Sequence, residues 1–414
     1  MKDLSFDEFP ASTFEQWETL VKKELGDRSA DILDWNNENG FRIPSYHVSA
    51  SPVEVSVPES WDIFQSVSEP DLQKLNGEIL TSLTGGTSAI GIRRDLHSYD
   101  ELNVVLKDVR IDFIATHFIS VKKPLELCQW LISFCREKNI DTKKLRGSIQ
   151  SEFTGDHEMP GHWKEIATLS KQYFSVFRTV NVYADRIHNS GGNAVQELAY
   201  ALACANEFMH QLTQAGFTVD EASAMIQVKF AVGSSYFVEM AKLRAFRMLW
   251  KTLVEQYHPA HECTTRCFIH AETSSYLKIT NDIHNNLLRT TTQTMSAILG
   301  GADSVEALPY DASTGHSETS LRLARNIQHL LTEESYFSEM KNAATGSYYI
   351  EAIVSQLIDA AWKSFLEIEY AGGIFKSGKN IDDSVRASHV KKQADIAAKN
   401  SVIVGVNKYM DKTI

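Results

Sequence analysis

Short apolar segments alternate with longer amphipathic segments through most of the chain. The first amphipathic segment predicts a helix over residues 13–25, because its apolar side chains recur at spacings of three and four. Those side chains are Phe14, Trp17, Leu20, Val21 and Leu25. From about residue 61 onward, short runs of the β-strand type each precede an amphipathic run. The first forty-odd residues therefore form an arm that precedes a different, repeating arrangement.

The repeating part predicts interleaved strands and helices. Strands are predicted at 89–92, 109–114, 145–149, 177–182, 226–230, 267–271 and 304–308. Helices are predicted at 99–106, 124–137, 194–215, 236–257, 286–299 and 317–335, with two more at 351–369 and 382–399. Such alternation implies a parallel sheet, and about eight units between residues 80 and 335 favour a closed (β/α)8 barrel.

The predicted fold is thus an α/β TIM barrel with an N-terminal helical arm and a C-terminal helical extension. The predicted domains are an arm at 1–48, a barrel at 49–380 and an extension or linker at 381–414.

Composition and charge narrow the function. The 414 residues are 43% hydrophobic and 23% charged, which excludes a disordered or fibrous chain. The net charge of −12, without a long basic run, argues against nucleic acid as a partner. An acidic N-terminus without a signal pattern, no 18-residue apolar run and an odd number of cysteines indicate a cytoplasmic protein without a membrane partner.

A small-residue segment is the first candidate for chemistry. Residues 189–193 follow a predicted strand and precede a long helix, which is where barrel enzymes place their active sites. Two glycines there would let the backbone approach a ligand closely. An ordinary turn between a strand and a helix remains the favoured interpretation.

Two further motifs suggest cofactors. His261, Cys263, Cys267 and His270 have metal-ligating side chains, but their spacing is not that of a standard zinc site. Strand alternation also places Cys267 and His270 on opposite faces, so no metal site is predicted. The sequence 282–287 resembles the start of a cobalamin-binding motif, although a leucine replaces its glycine. A polar helix start is the favoured interpretation of that segment.

Several separated blocks, in order along the chain, together resemble the methylmalonyl-CoA mutase family. They are Gln196–Ala203, Phe237–Trp250, Leu288–Gly301, Ala324–Gln328, Glu333–Ser335, Gly346–Ala352, Glu369–Gly373 and Val404–Tyr409. The arm, with Phe9-Pro10, Glu15–Trp17 and Val21–Leu25, is similar to the small (β) subunit of the heterodimeric bacterial enzyme. This resemblance implies that the arm contacts a partner subunit and that this chain has no cobalamin-binding domain.

The resemblance implies an isomerase of propionate metabolism. The family rearranges methylmalonyl-CoA and succinyl-CoA by radical chemistry that adenosylcobalamin supplies. In the large (α) subunit of such enzymes a barrel binds the acyl-CoA and a further α/β domain carries the cobalamin-ligating histidine. The resemblance thus implies that adenosylcobalamin is on the large subunit and that this chain binds none.

The chain departs from the large-subunit pattern at the substrate site. A tyrosine–histidine pair corresponds to Asp185 and Arg186, so a neutral donor to the thioester carbonyl becomes a guanidinium. The substrate strands persist as vestigial binding positions at Ser148, Gln150, His270 and Glu272. An arginine expected within 151–166 has no counterpart, and 51–58 replaces a tyrosine-containing loop.

These departures favour a non-catalytic small subunit whose partner is the large subunit, with a homodimer as the assembly in its absence. One alternative is an active acyl-CoA mutase barrel that uses a cobalamin domain on a separate chain. Another is a degenerate barrel that binds an acyl-CoA without turnover. We expect the barrel interior to be partly filled by side chains.

Overall fold

A parallel sheet that curves into a barrel forms the centre of the computed structural model, which describes residues 12–47, 54–151 and 161–410. Its strands are β1 Trp35–Asn36, β2 Arg42–Ile43, β3 Asp62–Val67, β4 Ala89–Ile92, β5 Ala115–Ile119, β6 Arg146–Gln150, β7 Val176–Arg178, β8 Val180–Tyr183, β9 Ile226–Val232, β10 Phe268–Thr273 and β11 Ser304–Glu306. The first two form a small antiparallel hairpin in the arm.

The other nine strands are ordered β7-β6-β5-β4-β3-β11-β10-β9-β8 and are parallel throughout. β7 and β8 are two pieces of one strand interrupted at Thr179; β7 pairs with β6, and β8 pairs with β9. At the interruption the Thr179 amide donates to the Met225 carbonyl. Eight strand positions therefore close the barrel, and the predicted TIM-barrel fold is confirmed.

Helices surround the barrel and extend beyond it. They are α1 Phe14–Leu25, α2 Leu72–Thr84, α3 Tyr99–Val105, α4 Pro124–Glu137, α5 Gly161–Tyr173, α6 Asp185–Asn189, α7 Ala194–Gln214, α8 Val219–Met225, α9 Tyr236–Glu255, α10 Asn285–Leu299, α11 Glu318–His329, α12 Tyr348–Tyr370 and α13 Ile374–Ala397. A π-helix, Leu330–Glu334, continues α11, and α13 crosses the predicted domain limit at residue 380.

The predicted strand at 109–114 is wrong. Its alternation of apolar and charged residues is typical of a strand with one solvated face. In the structure this segment is a turn closed by the Arg110–Asp112 ion pair, and Phe113 is exposed. The barrel strand is β5, which is buried at all five positions. Strand β3 and helices α2 and α5 were not predicted from the sequence.

Two apolar clusters hold the helices onto the barrel. The larger cluster packs α7, α9 and α12 against β8–β10, with the fully buried Trp250 within it. The smaller cluster packs α2, α3 and α4 against β4–β6. Because helices cover the outer face and side chains fill the inner face, the central strands are buried on both sides.

The hairpin attaches the arm to the barrel, because Ile43 is buried in the larger apolar cluster. Arg42 of the hairpin pairs with Asp31 and Asp34, which fixes the hairpin to the segment before it. The Asn39 side chain accepts a hydrogen bond from the Ala194 amide at the start of α7. In contrast, α1 has no buried residue. Of the expected loop at 51–58, residues 51–53 lie outside the described residues.

Gly147 provides a test of the barrel geometry. It has φ +132°, and a Cβ there would lie 1.9 Å from the Thr116 carbonyl oxygen on β5. We expect Gly147→Ala to lower the free energy of unfolding by about 2–5 kcal/mol, through backbone strain and overpacking. Urea unfolding measures this change.

Gly77 is the matched control. It lies inside α2, and a Cβ there would meet nothing within 4 Å. Gly77→Ala should raise the free energy of unfolding by roughly 0.5–1 kcal/mol, because alanine favours the helix. Equal tolerance of both substitutions would contradict the barrel register at β5–β6.

Candidate functional site

Aromatic rings occupy the axis of the barrel. Side chains alternate between the two faces of a strand, so every second residue of each barrel strand points inward. Phe64 of β3 lies between two imidazoles, with ring centroids 5.0 Å from His117 and 4.5 Å from His270. All three side chains are buried. The axis is therefore filled at this level by side chains of the chain itself.

Ser148 is the centre of a buried hydrogen-bond network beside these rings. Its hydroxyl oxygen accepts from the Gln150 amide at 3.0 Å and from the Gln227 amide at 3.1 Å. With both lone pairs taken, its proton goes to His117 Nδ1, 2.8 Å away. This bond requires a neutral imidazole, and burial correspondingly lowers the pKa of His117.

Gln227 also links this network to β8. Its amide donates to Asn181 Oδ1 at 2.7 Å, and the Asn181 amide donates to the Ile149 carbonyl at 2.8 Å. The side chains of Ser148 and Gln150, both predicted as vestigial substrate positions, are thus bonded to other side chains.

An ion-pair network lies at the mouth, at the carboxyl ends of the strands. The Glu272 carboxylate is 2.9 Å from Lys229 Nζ and 3.4 Å from Arg93 Nη2. Lys229 also contacts Asp185 at 3.2 Å. Burial opposes the charge on Lys229, yet Glu272 and Asp185 raise the pKa of this amine above its ordinary value. Burial raises the pKa of Glu272, an effect that Lys229 partly offsets.

Glu306 joins the network to the axis. Its carboxylate accepts from the Ser66 amide at 3.0 Å and lies 3.8 Å from His270 Nε2 and 3.9 Å from Arg93. Burial opposes its ionisation, but His270 and Arg93 hold the pKa of Glu306 well below its ordinary value. His270 Nδ1 is 3.2 Å from the Ser304 hydroxyl.

The other end of the barrel is also occupied. The Arg178 guanidinium lies 3.9 Å from the centroid of the Phe268 ring, close enough for a cation–π contact. Arg146 contacts Asp62 at 3.2 Å across the same end. Side chains from four of the strands therefore meet at this end of the barrel.

Asp185 and Arg186, which the sequence resemblance aligns with a tyrosine–histidine pair, point to different surfaces. Asp185 faces the mouth and contacts Lys229. Arg186 is exposed and hydrogen-bonds to Tyr200 of α7, where it lines a cavity of about 370 Å³ between α7 and α13. Only Asp185 of the pair thus belongs to the mouth.

The glycine turn at 189–193 is held by the C-terminal helix. Gly191 has φ +96°, and a Cβ there would meet His389 of α13 at 2.7 Å. Lys392 of α13 donates to the Gly192 carbonyl at 2.8 Å. The backbone of this turn therefore closely approaches a helix of the same chain, which accounts for its glycines without a ligand.

Sequence reasoning missed a buried ion-pair network behind this turn. Lys242 of α9 lies 2.6 Å from both Glu197 of α7 and Glu239, and donates to the Ala231 carbonyl. Burial raises the pKa of Glu197 to about 8. The sequence does contain a sign of this network, because single charged residues interrupt the apolar helices in two of the family-like blocks. The family resemblance alone did not assign a role to these charged residues.

The suggested metal ligands do not converge. His261 lies 3.5 Å from Asp220 on the outer surface, while His270 lies inside the barrel. Burial raises the pKa of the Cys267 thiol. Across the three described ranges no cluster of three or more His, Cys, Asp or Glu side chains could hold a metal ion.

The segment that resembles a cobalamin motif starts a helix. Asp282 accepts from the Asn285 amide at 2.5 Å, and the His284 ring packs on Tyr310 with centroids 5.4 Å apart. These contacts serve the start of α10 and do not fit the ligation of a cobalamin.

In the part of the chain that is described, no helix is long and apolar enough to cross a membrane.

The buried lysine allows a stability test. Removing one partner of a buried ion pair leaves an uncompensated charge, so Lys242→Met should lower the free energy of unfolding by about 3–5 kcal/mol. Lys251→Met on the same helix is the control, since Lys251 is exposed and lies 3.8 Å from Glu255. Its effect in urea unfolding should stay below about 1 kcal/mol. Similar losses for both variants would argue against the network.

His117 predicts a pH effect on stability. Its folded-state pKa lies below the unfolded value of about 6.5, so the unfolded chain takes up the proton first as the pH falls. Stability from His117 is therefore present above about pH 6.5 and declines below it, by up to roughly 1.4 kcal/mol per pH unit. Unfolding measured at intervals from pH 7.5 to 5.5 follows this decline.

The difference between variants isolates this effect. Glu197 contributes the opposite slope, because its raised pKa favours the folded state as the pH falls from about 8 towards 4.5. His117→Asn should therefore shift the pH slope of wild type, whereas His258→Asn, at an exposed position, should not. An unchanged slope in His117→Asn would show that this histidine is not held neutral.

Comparison with known proteins identifies the family. The family model for methylmalonyl-CoA mutase matches residues 84–414. A methylmalonyl-CoA mutase small subunit from Porphyromonas gingivalis is 30% identical over 100% of this chain and 72% of its own length. One from Streptomyces virginiae is 28% identical over 97% of this chain and 71% of its length.

A methylmalonyl-CoA mutase from Cereibacter sphaeroides is 27% identical over 95% of this chain, which covers 64% of that relative. The chain thus spans less than two thirds of that mutase's length. The resemblance found in the sequence blocks is confirmed: the chain belongs to the methylmalonyl-CoA mutase family, which is a family of isomerases.

Proposed function

We propose that this chain is the non-catalytic small subunit of a heterodimeric, adenosylcobalamin-dependent methylmalonyl-CoA mutase. The interconversion of methylmalonyl-CoA and succinyl-CoA then takes place on the large subunit, which also binds the cofactor. We place the complex in the cytoplasm, where the five free cysteines stay reduced. The proposal extends to this chain the role that the names of two relatives give, a small subunit of methylmalonyl-CoA mutase.

The filled barrel axis carries the proposal. An acyl chain lying along the axis would have to displace Phe64 from between two imidazoles and break the bonds of Ser148. Each of those buried polar groups would then need a new partner, at a cost of about 1–3 kcal/mol per unsatisfied group. The packing of side chains inside the barrel would therefore oppose the binding of a substrate.

The charges at the mouth support the same proposal. Glu272 occupies the position where the family resemblance implies a neutral glutamine facing an anionic substrate. Its carboxylate and that of Asp185 already neutralise Lys229. An incoming carboxylate would meet two anions whose cations are engaged, which disfavours binding.

Turnover assays test the proposal. With methylmalonyl-CoA and adenosylcobalamin, the chain alone should produce no succinyl-CoA. When the large subunit is added, that subunit should gain activity or thermal stability. Equilibrium dialysis should detect no methylmalonyl-CoA on the small subunit alone at micromolar concentration.

Other results would favour the alternatives. Turnover with an added cobalamin domain would indicate an active barrel that borrows this domain from another chain. Retention of methylmalonyl-CoA without turnover and without any effect on the large subunit would indicate a degenerate acyl-CoA-binding barrel. The double variant Asp185→Tyr, Arg186→His should remain inactive, because Phe64 still fills the axis.

A further inference from the structure

Aromatic side chains gather beside the barrel mouth, three of them exposed and two half-buried. We define the rim patch as Trp35, His47, Phe237, Tyr348 and Tyr349, contributed by the arm and by the first turns of α9 and α12. Phe237 is 47% exposed and Tyr348 is 49% exposed. Exposed aromatic side chains at two adjacent helix starts are typical of interaction sites, because monomeric proteins seldom expose large continuous apolar patches.

Contacts among these rings make the patch continuous. Tyr349 lies at its centre, with ring centroids 5.6 Å from Phe237, 6.2 Å from His47 and 6.4 Å from Trp35. The rings of Phe237 and Tyr349 meet edge-on, at an interplanar angle of 89°. Mutual packing limits their rotamers, so a partner would find surface that needs little further ordering.

The rim patch continues into the apolar face of the arm. Tyr46 precedes His47 in sequence and stacks on Trp17 of α1 at 4.8 Å. Trp17 in turn stacks on Phe14 at 5.7 Å, and Leu20 of the same helix is exposed. One apolar surface thus runs from α1, through the arm, to the starts of α9 and α12.

The arm is too small to form a stable interface by itself. A standard interface uses roughly 20–30 residues and about 800 Å² on each partner. α1 has 12 residues, of which one face is apolar. An interface that includes α1 must therefore extend onto adjoining surface, and the rim patch adjoins the arm through Tyr46 and His47. Its aromatic composition matches that of protein interface cores.

We infer that the rim patch is the central contact for the large subunit, with α1 as the outer part of the same interface. The inference rests on the proposed function, which supplies the partner. Side chains of the rim patch would insert between helices of the large subunit. Aromatic residues at interface centres usually contribute most of the binding energy.

Binding measurements on full-length variants test this inference. The rim variants are Phe237→Ser and Tyr348→Ser, the arm variant is Leu20→Asp, and the control is Phe113→Ser. Phe113 is 69% exposed in the turn before β5, at the opposite end of the barrel. Thermal melting should show that all four variants fold like wild type. Titration calorimetry with the large subunit gives each dissociation constant.

We expect each rim variant to weaken binding by at least about tenfold, Leu20→Asp to weaken it too, and Phe113→Ser to change it by less than about twofold. Wild-type affinity in both rim variants, together with a loss in Leu20→Asp, would overturn the rim inference and leave the proposed function standing. No binding of the wild-type chain would overturn both. Self-association disrupted by the rim variants, without large-subunit binding, would show a second copy as the occupant.

Discussion

The barrel closes around its own side chains, and their packing and hydrogen bonds hold the strands in place. A closed eight-position barrel has an interior that either side chains or a ligand must fill. Here Phe64, two imidazoles and the bonds around Ser148 fill it. Ser148 bonds to His117 and to Gln227, which lie on two other strands, so the interior ties the strands together.

The same principle operates outside the barrel. Lys242 with Glu197 and Glu239 lies buried between helices and sheet, where unpaired charge is costly. These residues belong to the blocks that resemble the mutase family. The blocks that carry the family resemblance thus include residues that pack helices onto the barrel, whereas the charged residues of the mouth lie outside these blocks.

The sequence predicted most elements because the helices are amphipathic and the strands short and apolar. It failed at residues 109–114, where alternation imitates a strand, since periodicity does not report whether a segment is covered on both faces. It predicted that Asp185 and Arg186 replace a catalytic pair, but not that they point to different surfaces. Nor could it show that Ser148 and Gln227 meet, because their contact joins positions 79 residues apart.

The barrel mouth and the aromatic rim beside it differ in how their side chains are paired. At the mouth, carboxylates pair with Lys229 and Arg93, so cations that could bind a substrate are engaged by the chain itself. At the adjacent rim, Phe237 and Tyr348 remain about half exposed, while Tyr349 is half-buried against the larger apolar cluster. Because its charged groups are already paired, such a surface offers a small charged ligand few new interactions. Its exposed apolar groups can instead be buried against another protein. The side-chain chemistry therefore favours association over catalysis at this end of the barrel.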